Sequence, residues 1–393
     1  MRLSFSLAGA VLLGWAIAIA PAAAAPAIPV SDDVVLERLP ESRDASIGTL
    51  KKMRVLLHAA PQDLRVATSY ARRAIDAART TGDPRFLGQA QAALAPWWTV
   101  ADAPPPALLL RATIKQSLHD FDGAIADLDR LIALAPSDAQ ARITRATVLG
   151  VVGRIDDARR DCDRLESAVS ALVSAACRGS ADGSTSRAAE AERRLANALS
   201  SNAPSPPAIR VWALTIAGEI AARRGDAALA EARFRDALAL DSSDAYLAGA
   251  YADLLIDQGR DADAVRLLEP RTRHDALLLR LVIAEARLAD LRERLAIDRA
   301  ELAARFDATR RRGDGVHRRE EARYALAVEN DPARAAGLAR ANFDVQKEPA
   351  DLRILVDAAL AARDERALEV ARRWIARSGV NDIRIAAAME RRP

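Results

Sequence analysis

The chain is 393 residues long, half of them apolar but only 4% aromatic, and its 57 basic and 54 acidic residues leave a net charge of +3. Alanine, leucine and arginine dominate, which favours helix, and the chain is poor in the aromatic and β-branched runs that mark strands. All but four of the basic residues are arginine, yet acids lie among them at helix spacing, as in Arg159, Asp161, Asp163 and Arg164; this describes solvated helix faces with paired charges and sets nucleic acid aside as the expected partner.

From the first residue, Met1 and Arg2 precede an apolar run from Leu7 to Ala20, and Ala22, Ala23 and Ala24 supply an A-x-A pattern. A short apolar core followed by small residues predicts a secretory signal peptide, residues 1–24. An uncleaved anchor is the alternative, but the run falls short of the ~20 residues that a spanning helix needs. Residues 25–44 are expected to form an extended N-terminal segment. No later stretch reaches membrane length without charge. The expected location is therefore the bacterial periplasm, with no stable membrane span after signal removal.

The rest of the chain is periodic. Alanine is followed four residues later by a larger apolar residue at Ala90/Leu94, Ala124/Leu128, Ala158/Cys162, Ala191/Leu195, Ala230/Phe234 and Ala264/Leu268. The steps between these alanines are 34, 34, 33, 39 and 34 residues. Gly-Asp turn signals stand just upstream, in Asp120–Gly123, Gly153–Asp156, Gly225-Asp226 and Gly259–Asp261, where one helix stops and the next starts. A second break follows each unit, as at Pro136-Ser137-Asp138 and Ser242-Ser243-Asp244. The unit is helix, short turn, helix, short turn. The long step has a visible cause in the Ser/Pro-rich stretch Ser200–Pro207.

On these residues the chain resembles the tetratricopeptide repeat family. The stretch Leu108–Pro136 matches its unit through Leu108, Ala112, Phe121, Ala124, Leu128 and the closing Pro136; Leu214–Ser242 matches through Gly218, Gly225, Ala230, Phe234 and Ala237, with Ser242 in place of the proline. The resemblance implies an all-α, right-handed α-solenoid of stacked antiparallel helix pairs over residues 45–275. Beyond Pro270 the period weakens. Residues 276–312 read as long helical pattern, Gly313-Asp314-Gly315 breaks it, and helices resume at 320–328, 332–342, 349–362 and 365–378, with Ala335 and Ala367 early in second helices. Residues 276–393 are expected to be degenerate repeats and a C-terminal cap, with a separate helical domain as the alternative.

Reactive constellations are hard to find. The four histidines, His58, His119, His274 and His317, are too far apart for a helical metal pair, and His119 and His274 fall at turns, where a solvated or capping role is ordinary. The zinc H-E-x-x-H, nucleophile-elbow and phosphate-loop patterns are absent, and the carboxylates are expected on exposed helix faces beside arginines. No enzyme, no metal and no cofactor is expected. Cys162 and Cys177 stand in consecutive antiparallel helices. An even cysteine count in an oxidising compartment favours a disulfide, which needs the bend between them to fall near Ala168–Ser170; two buried thiols are the alternative. Of the adjacent Trp97 and Trp98, one is expected to pack and the other to be exposed, as a structural cap or, second, a stacking platform.

In the family, the first helix of each pair lines the concave face. Carried over, that face comprises Thr113, Gln116 and Ser117; Gln140, Ile143 and Thr147; Trp212, Thr215, Glu219 and Arg223; and Tyr246, Asp253 and Asp257. The lysine and asparagine cluster with which some relatives grip a terminal carboxylate is missing. Glu219, Asp253 and Asp257 would suit a peptide or protein with some positive charge. The leading expectation is a periplasmic interaction scaffold or assembly factor binding a peptide or protein partner. A structural spacer in the cell envelope and an enzyme acting on polysaccharide are the alternatives.

Overall fold

The six alanines that set the period, Ala90, Ala124, Ala158, Ala191, Ala230 and Ala264, are each no more than 3% exposed, and so are their partners Leu94, Leu128, Cys162, Leu195, Phe234 and Leu268. A small side chain stands where two helix backbones approach, and the larger residue one turn later fills the space beside it. The computed structural model describes residues 45–311 and 317–390. The expected signal peptide, the 25–44 segment and Gly313-Asp314-Gly315 lie outside the described residues.

Among the described residues, α1 (Ala45–Ala59) leads into α2 (Leu64–Thr81), α3 (Arg85–Ala93) and the short α4 (Ala95–Trp98). Antiparallel pairs then follow: α5 (Pro105–Ser117) with α6 (Phe121–Leu134), α7 (Ala139–Val151) with α8 (Ile155–Asp163), and α9 (Ala171–Asp182) with α10 (Ala188–Ser200). After the Ser/Pro-rich connection come α11 (Pro207–Arg223) with α12 (Ala227–Leu240), α13 (Ala245–Asp257) with α14 (Asp261–Leu268), and α15 (Asp275–Glu285) with α16 (Arg292–Arg311). The last elements are α17 (Arg318–Ala327) with α18 (Pro332–Val345), α19 (Pro349–Ala362) with α20 (Glu365–Ser378), and α21 (Ile383–Glu390). The fold is an all-α, tetratricopeptide-like solenoid, in which each pair buries its apolar face against the next.

One device repeats inside the pairs. Gly82, His119, Gly153, Gly225, Gly259, Asn330 and Arg363 each sit in the turn between first and second helix with positive φ. The amide of the following residue reaches back to the last turn of the first helix: Asp120 to the Lys115 carbonyl (2.9 Å), Arg154 to Leu149 (2.7 Å), Asp226 to Ala221 (2.9 Å), Arg260 to Leu255 (2.9 Å) and Asp364 to Ala359 (2.9 Å). This is the Schellman closure, which satisfies carbonyls the helix end leaves open. An aspartate then caps the second helix at Asp120, Asp226, Asp331 and Asp364. The Gly-Asp signals of the sequence are these two functions side by side.

The C-terminal pairs lie along this row of turns. The Lys347 amide donates to the Val151 carbonyl at 2.7 Å, the Ser186 amide to Gly379 at 3.1 Å and the Asn381 amide to Ser184 at 2.8 Å. Thr185 and Val380 form an isolated antiparallel bridge. The Trp374 ring stands against Gly153, and Ile383 against Gly225. Near the other end, His274 Nε2 lies 3.1 Å from the Thr80 carbonyl, and its ring covers Gly82. The solenoid therefore closes on itself, and α1 to α21 make one compact unit.

Candidate functional site

The first helices α5 and α7 carry a stripe of uncharged polar residues. Thr113, Gln116 and Ser117 recur at i, i+3 and i+4; Gln140, Ile143, Thr144 and Thr147 at i, i+3, i+4 and i+7, so each set shares one helix face. The hydroxyls of Thr113, Ser117, Thr144 and Thr147 donate back to carbonyls one turn earlier, at 2.8 to 3.0 Å. Gln140 donates to Thr144 Oγ1 at 3.3 Å. The Gln116 amide has no hydrogen-bond partner among the described residues. Ser117, Gln140 and Thr147 are exposed. Trp212 is different: it is half-buried between two parts of the apolar core, and Thr215 is buried with its hydroxyl on the Val211 carbonyl.

Further along, the stripe becomes charged, and every charge has a partner. Tyr246 is 66% exposed and donates its hydroxyl to Glu219 Oε1 at 2.6 Å; that carboxylate pushes the phenol well above its ordinary pKa. Arg223 donates to the Gly183 carbonyl at 3.2 Å and lies 3.9 Å from Glu219. Asp253 receives Arg280 and Arg323, each at 2.7 Å. Burial pushes the Asp253 carboxyl up, but the two guanidiniums outweigh it and hold the group well below the usual carboxylate range. Asp257 receives both Nη atoms of Arg353, at 2.6 and 2.7 Å, and Arg384 at 3.2 Å. Arg323, Arg353 and Arg384 all come from the C-terminal pairs. The sequence assigns these acids to a ligand; the closed solenoid supplies their cations from within. Arg353 had one weak signal, its i, i+4 spacing to Asp357.

The neighbouring network reaches the repeat turns. Arg319 contacts Glu320 (3.3 Å), Glu348 (3.0 Å) and Asp351 (3.4 Å). Burial pushes Glu320 up, yet Arg319 and His317 bring it down to about 2. His119 is half-buried, stacks on Phe121 with ring centres 5.3 Å apart and places Nδ1 3.1 Å from Gln346 Nε2. Burial lowers its pKa. It occupies the left-handed turn position that most other pairs give to glycine, and its ring packs against Gln346 of the C-terminal pairs rather than taking the solvated or capping role expected of a turn histidine.

The carboxylates are not all on exposed faces. Arg111 and Asp127 form a buried pair through Nε at 2.7 Å, and Arg111 Nη1 also donates to the carbonyls of Trp97 (2.7 Å), Trp98 (2.9 Å) and Val100 (2.9 Å). Both tryptophans are half-buried over this anchor, correcting the expectation that one would be exposed. Glu285 is fully buried, with Arg294 Nε 2.8 Å from Oε1. Burial and the Asp298 carboxylate push it up to about 7 against the pull of Arg294. Cys162 and Cys177 are bonded, with Cα atoms 5.5 Å apart. The α8–α9 connection runs from the Arg164 cap to the Ser170 cap and is centred on Ser167, so the bond forms without the shift of the bend to Ala168–Ser170 that the spacing predicts.

No family model matches the chain, and no curated protein matches it in sequence. Solved structures do match. A tetratricopeptide repeat protein from Parabacteroides merdae shares 16% identity over 73% of this chain and 98% of that one, with a TM-score of 0.37. The APC/C hetero-tetramer Cut9–Hcn1 shares 12% identity over 80% of this chain and 52% of that one (TM-score 0.41). The human IFIT1 dimer with PPP-AAAA shares 12% over 83% and 87% (TM-score 0.40). No helix among the described residues is long and apolar enough to cross a membrane. By the spacing, burial and turn geometry of its own helix pairs, the chain is an all-α helical-repeat protein with a tetratricopeptide-like fold.

Proposed function

We propose that the chain is an exported scaffold that binds a peptide or protein partner along the polar stripe of α5 and α7, in the bacterial periplasm. The observation that carries this reading is the contrast within the predicted face. Glu219, Arg223, Asp253 and Asp257 are engaged by the chain itself, whereas the Gln116 side-chain amide has no partner among the described residues, and the exposed Gln140 and Thr147, bonded only within α7, retain side-chain oxygens able to accept a backbone N–H. Such a surface recognises an extended segment by its main chain, through paired donors and acceptors, without demanding charge. The cationic ligand expected from the sequence is no longer favoured, because the acids that would have met it already hold arginines.

Photo-crosslinking residues placed at Gln116 and Gln140 in the native host are expected to capture the same partner, and Gln116→Arg with Gln140→Arg to lose it. Capture of nothing from either position, with capture elsewhere on the solenoid, would overturn this reading. Sequencing the N-terminus of the isolated protein tests export: a chain beginning at Ala25 supports it, one beginning at Met1 opposes it.

A further inference from the structure

Charge is distributed unevenly along the solenoid. Residues 45–94, covering α1 to α3, carry eight arginines and lysines against three aspartates, although the whole chain is only +3. Among the described residues the first ion pair along the chain is Asp83 with Arg85. Lys51, Lys52 and Arg54 on α1, and Arg65, Arg72 and Arg73 on α2, precede it and are all exposed. Later arginines are mostly matched to acids, as the Asp253 and Asp257 clusters illustrate.

The outer face of α1 adds apolar surface to this charge. Leu50, Met53 and Leu57 point into the core. On the opposite side Val55 and Leu56 are 69% and 58% exposed. Helical spacing puts Val55 one turn from Lys51 and Leu56 one turn from Lys52. The face therefore has two exposed aliphatic side chains, each one turn beyond a lysine.

We propose that this face docks on an anionic lipid surface. Basic side chains meet acidic headgroups, and the Val55–Leu56 pair enters the boundary between headgroups and acyl chains. The exposed Arg65, Arg72 and Arg73 of the neighbouring α2 add long-range attraction. Nucleic acid would use the charge but gain nothing from Val55 and Leu56, and α1 offers no phenylalanine, tyrosine or tryptophan for base stacking. An acidic protein would match the charge but has no need of the exposed aliphatic pair, and it is separated from a lipid surface by the test below. A lipid surface needs only a convex basic face with apolar tips.

The test is co-sedimentation of the full chain, purified from its host, with vesicles of phosphatidylglycerol mixed into phosphatidylcholine and with vesicles of phosphatidylcholine alone. Binding is expected to the first and not the second, and to weaken in high salt. Lys51→Glu with Lys52→Glu is expected to reduce binding roughly 30-fold or more. Val55→Ser with Leu56→Ser should reduce it at low and high salt alike. Arg340→Glu, an exposed reversal on α18, should leave it unchanged, and circular dichroism checks that each variant is folded. Equal binding to both vesicles, no binding to either, or folded α1 variants that bind as the parent does would each overturn the proposal. So would capture of an acidic protein or nucleic acid through these lysines without vesicle binding.

Discussion

Asp257 and Arg353 stand ninety-six residues apart in sequence and meet in a two-pronged ion pair of 2.6 and 2.7 Å. One group ends α13 and the other lies on α19, so the pair ties the middle of the solenoid to its C-terminal unit. Arg384 adds a third contact to the same carboxylate. Asp257→Ala leaves two guanidiniums without this partner. The expected loss is about 1–3 kcal/mol, measured by urea unfolding, with faster proteolysis around Ser184–Ser186, where the C-terminal unit docks. A charge swap, Asp257→Arg with Arg353→Asp, should recover part of the loss.

Gly153 and Gly259 occupy the same turn position, with φ of +79° and +69°. An alanine at either pays about 1–2 kcal/mol for the left-handed backbone. At Gly259 a Cβ meets nothing within 4 Å, whereas at Gly153 it runs into the Trp374 ring and Lys347 Cβ, 2.9 Å away. Gly153→Ala is therefore expected to destabilise more than Gly259→Ala and to shift tryptophan emission as Trp374 moves. Equal unfolding midpoints for the two would refute the close approach.

Arg111 serves one carboxylate and three carbonyls with a single planar head. Arg111→Met strands those carbonyls, although Asp127 keeps Lys115 at 2.9 Å. A cost of about 3 kcal/mol is expected. Arg111→Lys should recover little of it, because a compact ammonium cannot reproduce the fork. Denaturant titration followed by tryptophan fluorescence distinguishes the variants.

Two buried acids set a pH dependence. Burial, with the Asp298 carboxylate, raises Glu285 to about 7; burial raises Asp351 to about 6, against Arg319. In the unfolded chain both lose their protons near pH 4, and in the folded chain only near neutrality. Between those values the folded state holds more protons, so these groups make stability fall as pH rises from about 4 to 7. Glu285→Gln removes its share. The variant is expected to gain stability over the parent at pH 8 and to show no such gain at pH 4, by thermal unfolding at both values.

The Cys162–Cys177 bond closes a loop of fifteen residues across the α8–α9 bend. Serine at both positions is expected to lower stability by about 3 kcal/mol through a larger unfolded ensemble. Non-reducing digestion and mass spectrometry of the native protein should yield the linked peptides, and free thiol titration should find none before reduction.

The helix pairs were legible because their signals are local. An alanine, a residue four later and a Gly-Asp turn are all written within one repeat, so helix ends at 349–362 and 365–378 follow from sequence alone. Closure was not legible. The partners of Asp253 and Asp257 lie on other turns of the superhelix, and nothing near Asp257 distinguishes a carboxylate awaiting a ligand from one awaiting Arg353. His119 misled for the same reason: its turn position is visible in sequence, while Gln346, which fills the space beside it, is 227 residues away. Buried Glu285 sits in an apolar run, LLLRLVIAE, and that run was the available hint.

The contact of Lys347 with Val151 has a consequence in time. Neighbouring pairs can fold as soon as both are synthesised, since each buries its face on the one before. The last lock cannot form until residues 318–384 exist. A nascent or truncated chain lacking α17 to α21 would thus stay open, with Asp257 unpaired by Arg353 and Arg384 and Asp253 holding Arg280 alone, and it would close only when those five helices arrive. Premature termination would yield a folded protein of different shape and charge, not a random coil.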